Sequence, residues 1–412
     1  MKNIPAILFF MALSLHCKAQ QTIRGRVVNA ASGAAVPGSS VFITNTSKGT
    51  VSDNAGNFVL TDVPPGKHEL IISSIGYETN VFPFSQVQLP LQLKVELSIK
   101  VKELENVTVE PSVEEGWDKW GRVFMDHFIG TTAHAAQCRI KNEKALRFRY
   151  YKKSRRLTAY CDEPVLLENK ALGYTISYQL ENFEVNYADK TMFFLGYSLF
   201  EPIDRTNRTR QQKWAGNREA AYAGSVMHFM RSLYADQLFS EGFEVRRLVR
   251  TPNREKERVR KLYSTGRVLM KTGVAGVVIE TKKDSGHVHR DSINYYESVL
   301  RQKDVIETVG RDLLSADSLI IEEQGEYKFL HFTDHLYITF NREKEEEGYV
   351  QTQFPQRMAG FQHSMVTLLN DQLIMLDKNG NYFSPQDFFT SGYWGWSEKM
   401  AGSLPLDFKP GQ

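Results

Sequence analysis

The residue patterns that would mark a catalyst are missing from this chain. None of its 10 histidines is followed by glutamate at the third position, so the H-x-x-E pair with which metallopeptidases hold zinc is absent. There is no G-x-S-x-G turn for a nucleophilic serine, no dinucleotide fingerprint, and no cysteine in a recognised catalytic frame. Gly33 to Gly38 followed by Ser39 has the spacing of a phosphate-binding loop, but the lysine that grips the phosphate is lacking. No cofactor is therefore expected. An excess of one charge is absent too. Of 51 basic residues, Lys2 and Lys18 lie in the first nineteen positions, which leaves 49 against 48 acidic ones. That balance excludes a dedicated nucleic-acid binder. Beyond the first twenty positions no apolar run approaches the ~20 residues that a membrane-spanning helix needs.

What the chain does have at its start is Lys2, then "IPAILFFMALSL" and "HCKAQQ". One positive charge, an apolar run and a small residue before a polar one predict a secretory signal peptide over residues 1–19, cleaved after Ala19. Cys17 raises the question of a lipoprotein, but His16 stands where a small residue is required. The mature chain is thus expected outside the cytoplasm, in the periplasm or an outer-membrane-associated envelope, with no membrane span. Its two remaining cysteines, Cys138 and Cys161, meet a compartment that permits disulfides. Between them, "ALRFRYYKKSRRLTAYC" reads as a hairpin turning near Ser154, which sets Cys161 opposite about residue 147 and not opposite Cys138. A disulfide and two buried free thiols both stay open.

Residues 20–109 read as an all-β domain. Short strands such as "TIRGRVV", "SVFITNT", "NFVL", "HELIISSIGY" and "LQLKVELSI" are separated by "ASGAAVPG", "SDNAG" and "VPPG". Leu91, Leu93, Val95 and Leu97 alternate with polar residues, the mark of a half-buried strand. In "SDNAGNFVL" Asp53 can accept amide hydrogen bonds within a turn and Gly56 can take a positive φ, while Phe58 and Leu60 point inward. Each residue has a structural job, so this corner reads as scaffold. The run "GRVVNAASGAAVPGSSVFITNTSKGTVSDNAGNFVLTDVPPGKHELIISSIGYE" resembles the carboxypeptidase-D regulatory-like domain, including its acid-x-x-Gly-x-aromatic corner and its "SSIGYE" strand end. The resemblance covers about a fifth of the chain and implies a transthyretin-like, seven-stranded β-sandwich. It implies no catalysis, because in metallocarboxypeptidases this domain is an accessory, and similar domains precede the plug of starch-utilisation-type transporters.

Residues 110–116, "EPSVEEG", read as a linker, and residues 117–412 as an α+β domain rich in antiparallel sheet. Trp117, Trp120, Phe124 and Phe128 recur at helical spacing. A second helix is expected from about Asn217 to Phe239, with Tyr222, Val226, Phe229, Met230 and Leu233 on its apolar face. "SINYYESVLR", "SLIIEEQGEYKFLHFTDHLYITFNRE" and "MVTLLNDQLIMLDKNGNYF" read as hairpins. "REAAYAGSVMHFMRSL" and "GYWGWSEKMAGSLPLDFKP" resemble uncharacterised secreted proteins that carry the same regulatory-like domain, which implies architecture and compartment but no activity.

Four groups of residues invite a chemical reading. His331, Asp334 and His335 in "HFTDH" are three metal-ligand types in a strand-like stretch, where residues four apart share a face, set against ordinary strand and turn histidines. His287 and His289 in "GHVHRD" form a similar pair. Arg246, Arg247 and Arg250 open the basic run "RRLVRTPNREKERVRK", which could meet acidic glycans or lipopolysaccharide phosphates, or lie solvated and self-paired. Tyr393, Trp394 and Trp396 are either a stacking platform for sugars or anchors that tie the C-terminal segment to a sheet. The expected function is that of a non-catalytic, exported envelope protein that binds a protein or glycan partner, with the sandwich as docking or spacer module. Association with the outer membrane is compatible with it. A hydrolase of unfamiliar constellation acting on peptides or glycans is the alternative.

Overall fold

The structure, a computed structural model, describes residues 21–100, 110–203, 207–264, 268–273, 276–281 and 290–411. The expected signal peptide and the pair His287 and His289 lie outside the described residues. Seven strands form the amino-terminal sandwich: β1 (Ile23–Asn29), β2 (Ser40–Ile43), β3 (Gly49–Val51), β4 (Asn57–Leu60), β5 (Lys67–Ser73), β6 (Asn80–Ser85) and β7 (Leu91–Leu97). They pair as β4-β1-β7 and β3-β2-β5-β6, with β1 and β7 parallel. Alternation puts Ile23, Val41, Ile43, Leu70 and Ile72 into the space between the sheets, where none is exposed. The corner before β4 is built as its residues suggest. Asp53 accepts hydrogen bonds from the amides of Ala55 and Asn57 at 2.9 and 2.8 Å. Gly56 has φ 80°, and a Cβ there would lie 2.4 Å from the carbonyl oxygen of Val27. Phe58 is buried.

The stretch expected as a linker contains a strand, β8 (Ser112–Glu115), which pairs with β10 along Ser112 to Glu115. After it come α1 (Trp117–Phe124), which widens into a π-turn at Met125–Ile129, then β9 (Cys138–Ile140), β10 (Arg147–Tyr151), β11 (Arg156–Tyr160), β12 (Val165–Asn169), β13 (Tyr174–Asn186) and β14 (Thr191–Pro202). These strands form a seven-stranded antiparallel sheet in the order β8-β10-β11-β13-β12-β9, with β14 running along β13. The β13–β14 hairpin pairs from Tyr174 with Pro202 to Asn186 with Thr191 and carries a bulge between Leu180 and Asn182, which bends it. The aromatic face of α1 closes this sheet: Phe124 stacks on Phe128 at 4.9 Å and packs on Phe183 at 4.7 Å.

The single helix expected from Asn217 to Phe239 is two, α2 (Arg208–Tyr222) and α3 (Val226–Tyr234). Gly224 breaks them with φ 72°, lying so close to Phe340 and Gln362 that a Cβ would clash. Ser225 then caps α3 by accepting from the amide of His228 at 3.1 Å. The apolar period runs on across the break, which is why the sequence reads as one helix.

The remaining elements are β15 (Phe243–Pro252), α4 (Arg254–Ser264), β16 (Val268–Gly273), β17 (Gly276–Thr281), α5 (Arg290–Arg301), β18 (Val305–Val309), β19 (Ile320–Gln324), β20 (Tyr327–Leu330), β21 (His335–Lys344), α6 (Glu347–Gln351), β22 (Phe361–Leu368), β23 (Ile374–Leu376), β24 (Phe388–Gly392) and α7 (Tyr393–Ser397). "SINYYESVLR" is therefore helix α5 and not a hairpin. Its β-forming residues misled, but Val299 is buried while Tyr295, four positions earlier, reaches Glu255 of α4. Strands β18-β15-β21-β22-β24 form a second large sheet. It has its own core, in which Phe229, Met230 and Leu233 of α3 meet Val245, Ile338 and Val366.

The sandwich does not stand apart from this. The turn after β2 adds to the edge of β14: Asn45 N donates to Ser198 O at 2.7 Å and Phe200 N to Thr46 O at 3.0 Å. Ser47 N donates to Asp407 at 2.8 Å, and Leu406 N to Asn45 O at 2.7 Å. Phe42 and Ile71, on the outer face of the sandwich, bury Leu199. That outer face is therefore packed against the larger region and not left in water.

Candidate ligand cavity

Between the two cores of residues 110–411 lies a cavity of about 1110 Å³. The bent β13–β14 hairpin supplies one wall, with Tyr178, Tyr187 and Phe194, and the start of α3 supplies another, with Ser225 and Val226. Phe388, Phe389 and Trp396 close it from β24 and α7, and Asn186, Asn381, Gln386 and Thr390 add amides and a hydroxyl. Asn45 of the sandwich reaches its lining as well. The C-terminal segment holds the walls together. Met400 N and Ala401 N donate to the carbonyls of Phe128 and Ile129 at 3.0 and 3.1 Å, and Asn169 Nδ2 donates to Ala401 O at 3.0 Å.

Two ionisable side chains from this segment face the cavity. Glu398 accepts from the Val226 amide at 3.3 Å, at the first turn of α3, where the free amides of a helix favour a carboxyl group. Lys399 is its neighbour in sequence but turns to the sulfur of Met192, 3.3 Å away. Both keep some accessible surface, and that surface lies within the cavity. Burial raises Glu398 to about 7 against the partial opposition of the Val226 amide and Lys399, and burial lowers Lys399 to about 8. His127, also in the lining, is lowered by burial and by Lys399. A raised carboxyl in a largely apolar cavity marks a candidate site. It was missed in the sequence, although Glu398 and Lys399 directly follow the "GYWGWS" run. The available signal was an ionisable pair between buried anchors, Trp394 on one side and Met400 and Ala401 on the other.

The residues singled out from sequence are dispersed. Tyr393 and Trp394 are 5% and 2% exposed. The indole of Trp394 donates to Gly224 O at 2.7 Å and packs on Phe229 at 5.4 Å, so it offers no face to a sugar. Trp396 alone of the three lines the cavity, with its indole donating to Thr131 Oγ1 at 3.0 Å. Arg246, Arg247 and Arg250 lie on β15 and pair with Glu244, Asp334 and Glu307. The strand-like face expected for "HFTDH" is not there, because β20 ends at Leu330 and β21 begins at His335. His331 pairs with Asp371 at 2.8 Å, His335 Nδ1 with Thr367 at 2.7 Å, and Asp334 with Arg247. Each candidate ligand is turned to a different partner, and among the described residues no group of three metal-ligand types converges. Asp53, Gly56 and Phe58 serve the sandwich corner. Cys138 and Cys161 are both free, on β9 and just past β11, and burial pushes the Cys138 thiol up to about 12.

Comparison with known proteins adds one firm assignment. No curated protein matches the chain. Among solved structures, an N-terminal interface mutant of a type II cohesin–X-dockerin complex from Acetivibrio cellulolyticus is 26% identical over 18% of this chain, with a TM-score of 0.16. The chain spans only about half of that structure's own chain, 51%. A protein of unknown function from Bacteroides fragilis, described as membrane-associated, is 9% identical and matches 88% of this chain and 98% of its own, with a TM-score of 0.14. A DUF3823 family protein from Bacteroides uniformis is also 9% identical, over 83% of this chain and 96% of its own, again at 0.14. TM-scores this low carry no argument about fold or function. Among the described residues no helix is long and apolar enough to cross a membrane. The family model of the CarboxypepD_reg-like domain matches residues 23–109, and with its seven strands and its Asp53–Gly56–Phe58 corner the amino-terminal sandwich is a domain of that family.

Proposed function

We propose that the protein is an exported binding protein of the cell envelope, and that the cavity beside Trp396 holds its ligand, a glycan. The observation that carries this reading is the lining itself. Rings of Tyr187, Phe194, Phe389 and Trp396 stand together with the amides of Asn186, Asn381 and Gln386 around about 1110 Å³. Sugars present C–H faces that stack on aromatic rings and hydroxyls that pair with amides, and ligand sites commonly occupy ~300–1,000 Å³. The sandwich is docked on β14 and contributes Asn45, so it braces the wall of the site. Calorimetric titration of the mature chain against neutral and acidic oligosaccharides tests the reading. Saturable binding that Trp396→Ala weakens supports it; absence of binding across the whole panel overturns it.

One observation favours the hydrolase alternative: Glu398, at about 7, could give or take a proton at neutral pH. Glycoside hydrolysis generally needs two carboxyl groups flanking the bond. Asp126, the other acid in the lining, is engaged by Arg122 at 2.9 Å. New reducing ends released by the wild type and not by Glu398→Gln would establish hydrolysis in place of simple binding.

A further inference from the structure

The charged groups that line the cavity are Asp126, His127, Arg155, Lys190, Glu398 and Lys399. They are not balanced. Asp126 is occupied by Arg122, and Glu398 is held by the Val226 amide. Arg155, Lys190 and Lys399 have no ion-pair partner among the described residues. Arg155 and Lys190 are exposed, in the turns that follow β10 and β13, and so stand where the cavity meets solvent. Lys399 lies deeper, against Met192. We infer that the cavity selects an acidic glycan, with Lys399 meeting a carboxylate on a sugar inside and Arg155 and Lys190 drawing the chain in from outside. The inference rests on the glycan-binding reading above.

The physical case is one of unmatched charge. A cleft lined by one sign of charge and walled by apolar groups focuses its field and attracts the opposite sign. The two acids do not cancel that field. Asp126 is neutralised by its partner, and Glu398, raised to about 7 by burial, carries only part of a charge at neutral pH. Lys399 is lowered to about 8 and is still mostly protonated there, while burial keeps His127 neutral. A neutral sugar would leave the Lys399 ammonium with only the part-charged Glu398 to offset it in a largely apolar space, whereas a uronic acid supplies a full counter-charge.

The test is a set of matched probes: oligogalacturonate, oligoalginate and hyaluronan oligosaccharides, each beside its carboxyl-reduced neutral counterpart, and a sulfated galactan oligosaccharide. Affinity for at least one acidic chain should exceed that for its neutral counterpart by about tenfold, as for one charge-assisted contact. That preference should shrink with added salt and with Lys399→Met. Arg155→Gln with Lys190→Gln, both at exposed turn positions, should slow association of the acidic chain without lowering the melting temperature. Preference for the sulfated chain supports the requirement for negative charge and moves it from carboxylate to sulfate. Equal binding of acidic and neutral members overturns the inference and leaves the glycan reading standing. Failure of every probe, neutral and acidic, overturns both.

Discussion

The sandwich and the larger region bury similar residues to different ends. In the sandwich the inward side chains of two facing sheets meet each other and close, and the turn carboxylate Asp53 remains outside. After residue 110 the same alternation builds two separate cores, one beneath α1 and one beneath α3. The space where they face each other is not filled. There the chain places Glu398 and Lys399, side chains that a sealed core would exclude. The contrast teaches that the same alternation closes one core in the sandwich and leaves a cavity between two cores in the larger region.

The largest effect should separate anchors from lining. Trp394→Ala removes a ring buried against Phe229 and is expected to cost about 3–5 kcal/mol, seen as a drop in melting temperature or loss of soluble protein. Trp396→Ala, at the cavity, should leave most of that stability. Equal losses for the two would erase the distinction between them.

Next in size is the linkage of stability to pH at Glu398. Its folded pKa, about 7, lies above the 4.5 of an ordinary glutamate, so the folded state holds the proton more tightly than the unfolded one. Stability is therefore full at low pH and is lost as pH rises from about 4.5 through about 7. Glu398→Gln cannot ionise and should gain up to about 3 kcal/mol over the wild type at pH 8, with no gain at pH 4. Denaturant melts at the two pH values measure this. A gain of the same size at both would show that the carboxyl is not desolvated.

In the sandwich the corresponding test is Gly56→Ala. A positive φ and a carbonyl 2.4 Å from the added Cβ should cost about 1–3 kcal/mol, with the loss confined to hydrogen-exchange protection of β1 and β4. The smallest effect belongs to the basic run. Arg247 is largely exposed and paired with Asp334, so Arg247→Ala should change stability by about 0–1 kcal/mol and leave oligosaccharide binding unchanged.

What could be read in the sequence follows the same division. The sandwich is specified by short-range signals, such as the alternation of Leu91 to Leu97 and the Asp53–Gly56 turn, and these survive in three dimensions. In the larger region the helix break at Gly224 was hidden because Tyr222, Val226 and Phe229 keep an apolar period across it. Helix α5 was hidden by its tyrosines and valine. "HFTDH" looked like a face, but its turn sends His331 and His335 to separate partners. The cavity was beyond reach because it joins Tyr178, Val226 and Glu398, which come together only when both cores have formed. Of the aromatic trio, composition could not say that Trp396 would be the one left to line it.

The proposal that the cavity is the ligand site can be tested with a single fluorophore. Trp396 lines it and Trp394 does not. Titration of the wild type with the acidic oligosaccharides should change its tryptophan emission saturably, Trp394→Phe should keep that change, and Trp396→Phe should lose it. A saturable change that persists undiminished in Trp396→Phe would place the ligand elsewhere and contradict this account.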